Sequence, residues 1–375
     1  MKNKILLFLL MLGGLIGCNP EDDNTPPPNP TSLPTWSSIA DLTGPAFGSV
    51  SCMEIYNGDL YVGGDFYTVD GVVAKNIVKW DGTNWSPVPG SKADLGYAVK
   101  SMKIYNGSLY VLFVNYNNLF QKWDGTNWST ITPSNTNYSI GSAMISFNGL
   151  LYLGANQVFD GISLSNIVPS DANPWQFSDT VCSDASSYCI YNNELYCSGE
   201  FTMSNNGFGI FKLINNEWKD VAGVTVSGPI ANNMIVYNNQ MYAIGNFQGL
   251  SGLASNNFAS WNGNLWTSYL GIDQPYLGET TTQNPRIIIN NGSLYVSCRS
   301  NSGFGELCLG ETYFNPDTCF SNIISFDGTN WDYIAENDSA QVAAPIIMYN
   351  SYLYAYAFFN GPPGHESRIV RVQPQ

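Results

Sequence analysis

Histidine is almost missing from this sequence: among 375 residues the only one is His365. A Ser-His-Asp or Cys-His mechanism would have to run through that single side chain. Charge is also sparse, at 11% of residues, and it is lopsided, with 14 Lys+Arg against 29 Asp+Glu and a formal net charge of −15. Phosphate backbones are held by clustered lysines and arginines, so this balance argues against nucleic acid as a partner. Long apolar runs are missing beyond the N-terminus, which rules out a polytopic helical membrane protein. No stretch repeats its apolar residues at a 3.6 period, so a helical fold is not expected. There is no Cys-x-x-Cys pair, no Asp-x-Asp-x-Asp-Gly calcium loop and no Gly-rich phosphate loop opening a helix. No metal and no cofactor are therefore expected. What remains is a chain with 44% hydrophobic and 14% aromatic residues, enough to bury a sizeable core.

The first 17 residues read as an address. Lys2 and Lys4 precede an apolar run from Ile5 to Leu12, followed by small residues. This is the pattern of a secretory signal, too short for a stable membrane span. The ending Leu15-Ile16-Gly17-Cys18 resembles the bacterial lipobox, which implies cleavage before Cys18 and a diacylglyceryl group on it. Cleavage there leaves 12 basic against 29 acidic residues. Residues 18–34 are polar and Pro-rich, and read as an extended tether reaching about 50 Å. Glu21-Asp22-Asp23 behind the cysteine resembles the export signal of Bacteroidetes surface lipoproteins. That resemblance implies an outer-membrane lipoprotein displayed on the cell surface, with the periplasmic face as the alternative.

A repeat fills residues 35–375. Its first unit contains Ile55-Tyr56-Asn57-Gly58-Asp59-Leu60-Tyr61 and then Lys79-Trp80-Asp81-Gly82-Thr83-Asn84-Trp85. Tyr61, Tyr110, Tyr152, Tyr196, Tyr242, Tyr295 and Tyr354 mark seven units, spaced 42 to 59 residues apart. Such a period, with only strand and hairpin signals, predicts an all-β, seven-bladed β-propeller of four-stranded antiparallel blades. In each unit strands a and b flank an Asn-led tight turn; in the first, second and sixth, strands c and d flank an Asp-Gly step, with weaker copies ending at Trp218 and Trp266. The third unit is degenerate, with Trp175 its expected strand-d residue. The last unit stops after strand c at Arg368–Val372. An orphan strand at Thr35–Ile39 is expected to close the ring beside it, which removes an exposed sheet edge.

Gly63-Gly64 after strand b, and the Trp80/Trp85 pair around the turn, resemble kelch-like repeats and those of galactose-oxidase-like central domains. The histidine ligands of a copper oxidase cannot come from a chain with one histidine, so that activity is not implied. The Trp-Asp-Gly-Thr-Asn-Trp elements are similar to sialidase Asp-boxes, but Asp81 and Gly82 adjoin where that pattern has an intervening residue.

The a–b and c–d turns fall on one rim, and the b–c and d–a connections on the other. All length variation lies on the second rim, where a rigid scaffold places binding residues. The long insert between Cys298 and Asn322 offers Phe304, Tyr313 and Phe314, with Tyr276 in a neighbouring connection, either as ligand-contacting aromatics or as rings of a decorated loop that pack on their own blade. Cys308 and Cys319 are the best local disulfide pair. Thr180 and Ser339 sit in triplets resembling a Bacteroidetes O-glycosylation motif. Arg286, Arg299, Arg368 and Arg371 fall in the last two blades, where a small anion pocket or surface ion pairs would both use them. The reading that follows is a non-catalytic binding propeller, anchored by its lipid, that takes a glycan or a protein. The alternatives are a polysaccharide-active enzyme using two facing carboxylates and a structural or adhesive envelope component.

Overall fold

Seven asparagine-led pairs set the backbone. At every a–b loop both residues have positive φ, from Asn57 (52°) with Gly58 (87°) to Asn350 (48°) with Ser351 (65°). That geometry defines the two-residue turn whose twist matches its strands, and asparagine and glycine tolerate it best. The flanking strands are thereby held in register, as in Tyr56 opposite Asp59 and Tyr105 opposite Ser108.

The computed structural model describes residues 33–91, 96–113, 119–131, 143–154, 157–167, 181–202, 207–221, 231–245, 249–250, 253–254, 258–268, 286–297, 323–335, 340–361 and 364–374. Blade 1 is built from strands Ser49–Tyr56, Asp59–Asp65, Ile77–Trp80 and Trp85–Pro87, in that spatial order. Five further blades repeat this order. Their innermost strands a are Val99–Tyr105, Met144–Phe147, Val181–Tyr191, Ala231–Tyr237 and Arg286–Asn290. Blade 7 pairs Ala340–Tyr349, Tyr352–Gly361 and Gly364–Val372 with the N-terminal strand Ser37–Thr43. Each strand a touches that of the next blade, and the seventh returns to the first. The ring is closed.

The closure is tighter than the sequence indicates. Ser38 lies opposite Val370 and Asp41 opposite Arg368, as a last strand d should. On its far side the same N-terminal strand also pairs with the b–c hairpin of blade 1, Leu42 with Val69 and Thr43 with Thr68. It is thus laced between the last blade and the first. Arg368 adds an ion pair to Asp41 at 3.0 Å.

The core sits between blades. Tyr242 and Ile244 of blade 5, for example, pack on Ile287, Leu294 and Phe326 of blade 6. The Gly63-Gly64 pair follows from this crowding. A Cβ on Gly64 would lie 1.9 Å from the Ser49 carbonyl oxygen, and one on Gly63 would lie 2.5 Å from Val99 of blade 2.

One expectation is corrected. Blade 3 does carry the c–d signal, as Phe159-Asp160-Gly161-Ile162-Ser163-Leu164, with Phe159 paired to Leu164. Phenylalanine and leucine replace the two tryptophans, so strand d of blade 3 is Leu164–Asn166; Trp175 lies outside the described residues. His365 pairs with Asn360 inside the long b–c hairpin of blade 7.

Candidate functional site

The innermost strands share one irregularity. In blades 1, 2, 4 and 5 the a–b pairing slips by one residue at equivalent places, at Ser51, Lys100, Ser186 and Asn232. Blade 7 slips at Ala344-Pro345. A bulge bends its strand and re-aims the side chains beside it. Here it falls where the strands line a cavity of about 650 Å³ around the ring axis.

Counting back from each a–b turn puts Cys52, Ser101, Ala143, Ser187, Asn233, Arg286 and Pro345 at one level of that channel. The level next toward the turns is mostly apolar and buried, with Met53, Met102, Met234 and Ile287. The lining is residues 49–54 in blade 1, 100–103 in blade 2, 186–188 in blade 4 and 344–346 in blade 7, so the cavity lies along the axis between the two rims.

Four lining residues are charged: Glu54, Lys100, Lys103 and Arg286. Lys103 Nζ donates to Glu54 Oε2 at 3.3 Å and joins blades 1 and 2. Burial raises the Glu54 carboxyl, and the Lys103 charge and hydrogen bond oppose that shift. Burial likewise pushes the Cys52 thiol up to about 12, although the nearby Arg286 guanidinium pulls it down. It is therefore protonated at neutral pH and a poor nucleophile. Burial disfavours the charged form of Arg286 as well. Only its backbone has bonds, to Ser297 Oγ at 3.2 and 3.4 Å. Among the described residues neither Arg286 nor Lys100 meets a carboxylate.

Sequence reasoning missed this ring, because its members come from seven separate segments and have no common residue type. The one available signal was Arg286, at the start of a strand a where the other units carry small or polar residues. Of the other arginines, Arg368 bonds Asp41 and Glu366, and Arg371 donates to Tyr354 Oη at 3.3 Å. Cys18, Tyr276, Phe304, Cys308, Tyr313, Phe314, Cys319, Thr180, Ser339 and Arg299 all lie outside the described residues. Cys52, Cys189 and Cys197 are free thiols.

No protein-family model matches the chain, and no curated protein matches it in sequence. Solved structures do match it. YCF48 bound to a D1 peptide is similar with a TM-score of 0.53 and 10% identity, over 92% of this chain and 98% of that one. A puromycin-hydrolysing peptidase of Mycobacterium tuberculosis gives 0.52 and 10% identity, over 91% of this chain and 54% of that one. A chain of the mitotic checkpoint complex gives 0.50 and 10% identity, over 99% of both. The shared property is the fold: a seven-bladed β-propeller.

Proposed function

We propose that the protein is a binding propeller, held to the outer membrane by a lipid on Cys18, that captures a ligand without transforming it. The observation that carries this reading is the closed ring with a polar-walled cavity on its axis. Its groups suit recognition better than turnover. Glu54 is engaged by Lys103, and Glu54 is the one carboxylate among the described lining residues, so no facing acid pair is present there for glycoside cleavage. The Cys52 thiol is held protonated. Serine hydroxyls and the Asn233 amide offer hydrogen bonds to sugar hydroxyls or peptide groups. A protein ligand is the second form of this reading. It draws on YCF48, a propeller of similar outline solved with a peptide.

The test is a glycan array and a pull-down with the purified chain, with turnover assayed on every glycan that binds. Retention of an intact ligand supports the reading; release of cleaved products, or no ligand in either format, overturns it. Cys18→Ala should release the chain from membranes in fractionation, and membrane retention of that variant would remove the lipid anchor from the proposal.

A further inference from the structure

The cavity is charged opposite to the chain that encloses it. In a protein of net −15, the described lining residues place Lys100, Lys103 and Arg286 around the axis with Glu54 as the one carboxylate among them, an excess of two positive charges within that set. Glu54 is already held by Lys103. An enclosed guanidinium without a partner is costly, and a protein retains one where something else supplies the negative charge. Cys52 cannot supply it, because its thiol keeps its proton.

We propose that the axial cavity binds an oxyanion, a carboxylate or a phosphate, carried on a small polar molecule, with Arg286 as its principal anchor. The inference deepens the binding reading above and rests on it. A guanidinium presents a planar fork of donors that matches such oxygens in pairs, and enclosure strengthens each bond. At the same level Ser101 and Asn233 add neutral hydrogen-bonding groups. Ser187 Oγ accepts the Met234 N–H at 3.1 Å, which leaves its hydroxyl hydrogen to donate. Lys100, one residue along at the bulge, supplies a second cation from the opposite part of the ring. A volume of about 650 Å³ lies in the range of small-molecule sites.

Three sugars of one shape form the probe set: D-glucuronate, glucose 6-phosphate and glucose. Calorimetric titration of the purified full chain at low salt should show at least one acid binding about tenfold or more tightly than glucose. Which acid binds identifies the group. Arg286→Gln should weaken that binding by about tenfold or more while melting no lower than the wild type, because the change removes an unpaired enclosed charge. If Arg286→Gln does not fold, Lys100→Ala, at a half-exposed site, should still weaken acid binding several-fold. The proposal is overturned by equal binding of all three sugars, by no binding of either acid, or by acid binding that survives Arg286→Gln. It is also overturned, where that variant is unfolded, by acid binding that survives Lys100→Ala. Neutral ligands from the array that bind wild type and Arg286→Gln alike would leave the binding reading standing and sink this one.

Discussion

The Tyr105 hydroxyl of blade 2 donates to the Gly149 carbonyl in the a–b turn of blade 3, at 2.6 Å. The same clasp joins Tyr56 to Gly107, Tyr191 to Asn239, Tyr237 to Gly292 and Tyr349 to Gly58. The following blade in each case also has an Asp-Gly or Asn-Gly c–d turn, whose glycine faces the same tyrosine and the asparagine after it. The two positions without tyrosine, Phe147 and Asn290, precede blades 4 and 7. Blade 4 turns through Asn215-Asn216, and blade 7 has no c–d turn because the N-terminal strand completes it. Hydroxyl and turn occur together, so the Tyr-Asn-Gly signal is an inter-blade fastening as well as a hairpin.

Tyr105→Phe should therefore cost about 1 kcal/mol, the worth of one hydrogen bond with its carbonyl left unpaired. Phe147→Tyr should gain nothing, because the turn that frames the hydroxyl elsewhere is replaced in blade 4. Denaturant unfolding of both variants checks the pair, and a stabilised Phe147→Tyr would break the correlation.

Gly125 and Gly107 separate turn strain from blade contact. Both have positive φ, 99° and 71°. An added Cβ at Gly107 meets nothing within 4 Å, whereas at Gly125 it lies 3.2 Å from Asn57 Nδ2 of the neighbouring blade. Each alanine should cost about 1 kcal/mol from the backbone alone, and Gly125→Ala should cost measurably more. Equal melting temperatures would argue against the blade contact.

The closing strand makes a prediction of its own. Removing residues 33–43 would unpair the edge of Gly364–Val372 and uncover the b–c hairpin of blade 1. An open hydrophobic edge pairs with other chains. Sedimentation should show concentration-dependent association of the truncated chain, and a monomer of unchanged melting temperature would contradict the laced closure.

Acid should loosen the c–d turns. Asp81, Asp124, Asp160 and Asp327 each accept two backbone N–H bonds, at 2.7 to 2.8 Å. Those bonds hold the four carboxyls below the usual value of 3.8. A depressed folded pKa stabilises above the unfolded value and is lost as pH falls through the folded one. Melting temperature should drop as pH goes below about 4. A variant with all four changed to Asn, as blade 5 has at Asn262, keeps the acceptor oxygen and should drop less steeply. Parallel curves would remove these turns from the acid response.

Cys52 and Cys189 should resist alkylation. Burial raises both thiols to about 12, so little thiolate exists at pH 8. Mass mapping after iodoacetamide treatment should find both unmodified in the folded chain and modified after denaturation.

Much of this architecture was legible one residue at a time. Asn57-Gly58 and Asp81-Gly82 act locally: each pair bends the backbone wherever it stands, so the number of blades and the antiparallel order can be read along the chain. Blade 3 escaped recognition at its outer half because Phe159 and Leu164 fill the places of two tryptophans. The turn between them depends on Asp160 and Gly161 rather than on the flanking rings. The lacing of Leu42 to Val69 was hidden for a related reason, since two short polar-apolar segments far apart in sequence carry no mark of pairing.

Local backbone preference, repeated seven times, determined the blades and their turns from the amino-acid order alone. The charged channel was decided only in three dimensions. Cys52, Ser101, Asn233 and Arg286 have nothing in common as letters. They become one wall because ring closure brings every innermost strand to the same axis, and enclosure there turns an ordinary arginine into a charge that seeks a partner.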